Sequence, residues 1–172
     1  MEMKVLTIYR YGSKVNLKCE NGDVYDSSAI LQNEKGDTIY QSDYWNTDST
    51  NGYKGGRLAI GKYYAIKSKR KVTWQEEPID VLKLFSFMIH PELIKTADDI
   101  TESAYTLLSD IPNANHKGRN IVNYVQVHSG SLKWDWSHAC QTVLNYGGYN
   151  ECDRLMTLIK PNEIIIVDLR LA

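Results

Sequence analysis

Short strand-like runs, each closed by turn residues, set the first limit on what this chain can become. Residues 4–10 and 14–19 are separated by Tyr11-Gly12-Ser13, and Val15, Leu17 and Cys19 alternate with Asn16 and Lys18. That spacing predicts a half-buried hairpin. Asn21-Gly22-Asp23 and Gly36-Asp37 are turn signals before Val24-Tyr25 and Thr38-Ile39-Tyr40. Strands are also expected over residues 58–66 and 81–89, along Ile121-Val122-Asn123-Tyr124-Val125-Gln126-Val127, and over residues 163–169. Twelve tyrosines and four tryptophans against two phenylalanines favour sheets over a helical bundle. The chain is therefore expected to be mainly β with a few short helices, in one domain spanning 1–172.

Two helices are expected. Thr96 and Asp99 open one over residues 97–108, with Ile100, Ala104, Leu107 and Leu108 on one face. Asn150 is placed to cap residues 151–160, which end at Pro161. Cys152, Leu155, Met156 and Ile159 share one face of that helix, so Cys152 is expected in the core. Residues 41–57 are rich in polar and turn residues and read as a long loop or lid, with Tyr44, Trp45 and Tyr53 pinning it to the body. Lys67-Ser68-Lys69-Arg70-Lys71 reads as a solvated turn, and Ile111 to Gly118, with His116, as a loop. His90 before Pro91 has no chemical role in this reading.

Chemistry-bearing residues concentrate between Val127 and Thr142. His128 follows the alternating run, and Cys140 stands twelve residues later, after Trp134-Asp135-Trp136-Ser137-His138-Ala139. A thiol becomes a nucleophile near neutral pH only beside a base or in a positive field. A histidine at a strand end and a cysteine on the following loop supply such a pair if the loop folds back. The same residue types also suit two other roles. Cysteine is commonly a small buried hydrophobe, and His128, His138 and Cys140 with Asp135 or Asp153 are possible zinc ligands without a second short-spaced pair. His138, two residues from Cys140, competes with His128 for the role of base. A helical turn over residues 141–145 would set a helix N-terminus at the thiol. Trp134 and Trp136 either wall a cleft or cover the sheet.

His128-Ser129-Gly130, followed by Ser137-His138-Ala139-Cys140, resembles the L,D-transpeptidase catalytic domain (YkuD-like) over roughly residues 57–145. That family carries a histidine step, a loop, then Ser/Thr-His-Gly-Cys. Ala139 stands in place of the glycine, Gln141-Thr142 replace the usual apolar-Arg/Asn continuation, and the loop is short, as in divergent phage and bacterial branches. The resemblance implies a β-sandwich or barrel, a nucleophile at Cys140 and a base at His128. It also implies a site lined by Ser137, Ala139, Ser129, Gly130 and Trp136, with backbone N–H groups of Ala139 and Cys140 as the oxyanion hole. The implied reaction is acyl transfer on a peptidoglycan stem peptide without metal or other cofactor. A wall-binding or virion structural module of the same fold and an unrelated cysteine hydrolase are the alternatives.

A net charge of −1 gives no electrostatic reason to expect a nucleic acid or an anionic membrane. No apolar run reaches bilayer length, and Met1 to Ile8 reads as a strand rather than a signal peptide. The expected setting is cytoplasmic, or the cell wall after export without its own signal, as for a phage-delivered protein. Three cysteines without paired spacing argue against a disulfide framework.

Overall fold

In the computed structural model, eight strands close into a barrel; the structure describes residues 2–48, 55–94, 102–132 and 140–172. The staves are β1 (Val5–Arg10), β4 (Ser27–Gln32), β5 (Thr38–Asn46), β6 (Gly61–Arg70), β7 (Ile79–Ser86), β10 (Gln126–Gly130), β11 (Gln141–Leu144) and β12 (Ile164–Leu171). Their order around the barrel is β1-β12-β6-β7-β10-β11-β5-β4. Two neighbours run parallel, β1 with β12 and β10 with β11; the other pairs are antiparallel. Two small antiparallel pairs stand outside it, β2 (Leu17–Lys18) with β3 (Val24–Tyr25) and β8 (Thr106–Asn113) with β9 (Arg119–Asn123).

Alternation sends Leu6, Ile8, Ala29, Leu31, Leu82, Leu84, Val127, Val143, Ile165 and Val167 into one buried cluster. An eight-stranded barrel has an interior that side chains just fill, and Trp45, fully buried, fills much of it. The helix α3 (Glu151–Thr157) closes one end with Leu155, Met156 and Cys152, whose thiol burial pushes up to about 12. Lys67 fixes that helix: its Nζ donates to the carbonyls of Met156 at 2.6 Å and Ile159 at 2.8 Å. A cation there meets carbonyls at the negative end of the helix dipole, and the Met156 carbonyl also accepts from the Ile159 N–H at 3.4 Å. The described residues also form two further short helices, α1 (Pro91–Ile94) and α2 (Glu102–Tyr105).

Several sequence expectations change. The first strand does not pair with residues 14–19; it lies between β12 and β4, and only Leu17–Lys18 of that stretch forms a strand. Asn16 adopts φ 51° and Val15 is exposed, so the alternation breaks at its start; Cys19 is buried and Leu17 packs half-buried beside it. Residues 41–46 are not a loop but the end of β5, because Trp45 is worth more inside the barrel than over it. Tyr53 lies outside the described residues. Lys67 and Arg70 belong to β6 rather than to a turn. Of the helix expected over 97–108, the described residues form Glu102–Tyr105 as helix, and Thr106 onward is strand, reaching through Ile111-Pro112-Asn113. Residues 95–101 lie outside the described residues. Asn150 makes no side-chain cap; Asn145 Oδ1 accepts from the Asp153 N–H at 2.9 Å instead.

The expectation of a helical turn after Cys140 fails for a clear reason. Gln141, Thr142, Val143 and Leu144 are all buried, which a strand between two partners allows and a surface turn does not. Thr and Val also favour the pleated backbone. The thiol therefore stands at the start of a strand and gains no helix dipole.

Candidate active site

His128 and Cys140 arrive on neighbouring staves. In the parallel pair β10/β11, Val127 faces Gln141 and His128 faces Thr142 in register. Val127 and Val143 point into the barrel core, so alternation puts His128 and Thr142 on its outer face. Carried one residue before Gln141, the same alternation gives Cys140 that outer face. With strand spacing and rise of ordinary size, His128 and Cys140 stand roughly 8 Å apart at Cα, within reach of two side chains that lean together.

The sulfur is held from the side. Gln126 N–H donates to Cys140 Sγ at 3.4 Å. A backbone donor aimed at sulfur favours the thiolate. It takes over the work expected of a helix N-terminus. Cys140 is half-buried, whereas Cys19 and Cys152 are buried.

The imidazole is held from behind. His128 Nδ1 lies 2.9 Å from the carbonyl oxygen of Ser129. A carbonyl only accepts, so Nδ1 carries the proton and Nε2 keeps its lone pair. Burial lowers the His128 pKa; the Ser129 carbonyl opposes this and Arg70 adds to it. The ring is thus neutral at neutral pH and Nε2 is a base.

The third group on this face is Thr142. Its side chain is fully buried, and Oγ1 has no hydrogen-bond partner among the described residues. Asn46 of β5 is in register with Thr142 on the other side and is also buried. A row of His128, Thr142 and Asn46 therefore crosses three strands on one face. Gln126 leads to a cation: its Oε1 accepts from Arg70 at 3.1 Å.

The remaining expected site residues separate into groups. Ser129 acts through its carbonyl; its hydroxyl lies 3.4 Å from the Tyr146 hydroxyl. Gly130 accepts from the Asn145 N–H through its carbonyl at 3.0 Å, next to Leu144 in register, which places it in the frame of the sheet. Trp134, Trp136, Ser137, His138 and Ala139 lie outside the described residues, as does Asp135. Asp153 sits on α3, at the end of the barrel away from Cys140, which removes it from the zinc alternative. Among the described residues no three His, Cys, Asp or Glu side chains gather as a metal site. His90 is exposed, and its Nδ1 accepts from the Glu92 N–H at 3.2 Å at the start of α1. His116 sits in a 3-10 turn between β8 and β9.

Gln126, Thr142 and Arg70 were not singled out from the sequence. Alternation alone could have found Gln126, two residues before His128 on the same strand face. Nothing local pointed to Arg70, because the β6–β7–β10 order that brings it near is a long-range fact.

Comparison with known protein families, characterised proteins and solved structures returned no match.

Proposed function

We propose that the protein is a cysteine-dependent acyl transferase or peptidase of L,D-transpeptidase type, acting on peptidoglycan stem peptides. The observation that carries this reading is the pairing of two restraints on adjacent strands. Ser129 O, 2.9 Å from Nδ1, leaves His128 Nε2 as the base, and the Gln126 N–H holds Cys140 Sγ at 3.4 Å. The sequence resemblance around His128 and Cys140 supplies the substrate class.

In this mechanism Nε2 takes the thiol proton and sulfur attacks a peptide carbonyl. The tetrahedral intermediate collapses as the C–N bond breaks, and the imidazolium gives its proton to the departing amine. The thioester on Cys140 then passes its acyl group to an amine, forming a cross-link, or to water, completing hydrolysis. His128 is again the base for the incoming nucleophile.

Whole-protein mass spectrometry after mixing with a carbapenem tests the nucleophile. One adduct is expected on the native protein and none on Cys140→Ser; an adduct retained by the variant would overturn the assignment. Incubation with purified murein, followed by stem-peptide analysis, separates exchange from cleavage. Murein left unchanged under both conditions would remove the substrate class.

A further inference from the structure

Thr142 is the polar neighbour of His128 across the strands. The two are in register in the parallel pair β10/β11 and share the outer face, so their Cα atoms stand about 5 Å apart. On the other flank of His128, the register of Gln126 with Lys83 and Val127 with Leu82 continues to Val81, which is apolar and fully buried. His128 is therefore flanked by one hydroxyl and one aliphatic side chain. Cys140 precedes Thr142 by two residues, about 7 Å along the same face.

The other polar groups of this face are committed. Asn46, in register with Thr142 on its far side, accepts the Asp48 N–H at Oδ1, 2.8 Å away. Gln126 Oε1 accepts from Arg70, and His128 Nδ1 is held by the Ser129 carbonyl. Thr142 Oγ1 is fully buried with no partner among the described residues. A buried hydroxyl left in this way is costly, and such a group in a folded protein calls for a reason. Here it sits beside a base. Thr142 Oγ1 and His128 Nε2 both carry lone pairs on one face, next to a half-buried sulfur. Solvent reaches the row at its sulfur end.

We propose that Thr142 holds the water that hydrolyses the thioester on Cys140, so that the site is built to release an acid as well as to pass the acyl group to an amine. This rests on the acyl-transfer reading. One O–H of the water donates to His128 Nε2 and the other to Thr142 Oγ1, at about 2.8 Å each. That leaves an oxygen lone pair for the acyl carbon. Nε2 takes the first proton as the oxygen attacks and the C–O bond forms. The tetrahedral intermediate then expels the thiolate as the C–S bond breaks, and the imidazolium returns its proton to sulfur. The products are a carboxylic acid and the free thiol. An incoming amine is placed by the rest of its own molecule and does without the threonine. Thr142 thereby sets how the acyl group divides between water and amine.

The test acetylates Cys140 with p-nitrophenyl acetate and follows the acetyl group by peptide mass spectrometry, with and without glycinamide as a competing amine. In Thr142→Val, loss of the acetyl group to water is expected to slow roughly tenfold to a hundredfold, the scale for a misplaced reactant. The ratio of acetate to amide falls with it. Thr142→Ser keeps the oxygen and is expected to restore the native ratio. Should Thr142→Val lose its fold, Thr142→Ala supplies the deletion of the hydroxyl. An unchanged ratio on deleting the hydroxyl, or one that Thr142→Ser fails to restore, would overturn the proposal and leave Cys140 standing as the nucleophile. A native protein that takes no acetyl group on Cys140 would end the acyl-transfer reading and this proposal with it.

Discussion

Two buried polar regions of this barrel make opposite use of their hydrogen-bonding groups. At the mouth opposite α3, Arg10 is nearly fully buried yet amply partnered. It donates to Thr47 Oγ1 at 2.9 Å, the Leu58 carbonyl at 2.7 Å, the Thr47 carbonyl at 3.3 Å and Asp110 at 3.2 Å. Arg57 joins Asp110 at 2.8 Å and the Tyr11 hydroxyl at 3.1 Å, and that hydroxyl donates to Asp48. On the face of β10 and β11, by contrast, Thr142 Oγ1 is buried with no partner among the described residues. A satisfied network locks strands together; an unsatisfied one keeps donors and acceptors available. The mouth is architecture, and the outer face carries the residues of the proposed site.

The sharpest way to break this contrast is to disable each region by one residue. His128→Gln is expected to lower turnover by roughly a hundred- to ten-thousandfold, the range for a lost general base, with little change in denaturant midpoint. Arg10→Ala should do the reverse. Removing one partner of a buried ion pair costs roughly 3–5 kcal/mol of stability, measured by urea unfolding, while Cys140 alkylation in the folded fraction stays near native. If Arg10→Ala leaves stability intact, the mouth is not the lock described here.

Thr142→Val sharpens the contrast at smaller scale. Deleting a buried, unpartnered hydroxyl with a matching shape should hold or raise stability, by up to about 1–3 kcal/mol, while substrate turnover falls. A clear loss of stability would mean that the hydroxyl has a partner in the folded protein.

The smallest effect is a pH dependence at the mouth. Burial first, then the charge of Asp48, raises the Asp26 pKa to about 6. A carboxyl that titrates higher in the folded state than in the unfolded chain stabilises most below about 4 and loses that contribution as pH rises through about 6. Asp26→Asn should therefore gain stability at pH 8 relative to the native protein, with the gain fading by pH 4. An equal effect at both pH values would remove Asp26 as its source.

Much of the barrel was legible in the sequence because its staves carry period-two patterns. Ile164 to Leu169 and Val5 to Arg10 read as strands, and the spacing of Cys152, Leu155 and Met156 placed α3 against the core. What pattern could not give was pairing. Trp45 sits among polar turn residues, so β5 looked like a loop until the barrel supplied a place for an indole. Lys67 looked like part of a basic turn, whereas its amine closes a helix far along the chain. In the candidate site, His128 and Cys140 were visible as residue types. The groups that restrain them, the Ser129 carbonyl and the Gln126 N–H, are backbone atoms that every residue possesses, so no residue letter marks them.

The pairing of His128 with Cys140 is tested most directly by the pH dependence of Cys140 alkylation in the native protein and in His128→Gln. With Nε2 as the base, reactivity should rise along a limb below the ordinary imidazole value of about 6.5, since burial lowers the His128 pKa. In the variant only a limb near the ordinary thiol value of about 8.5 should remain. Identical profiles, both with the single limb near 8.5, would contradict the assignment of His128 as the partner of the thiol.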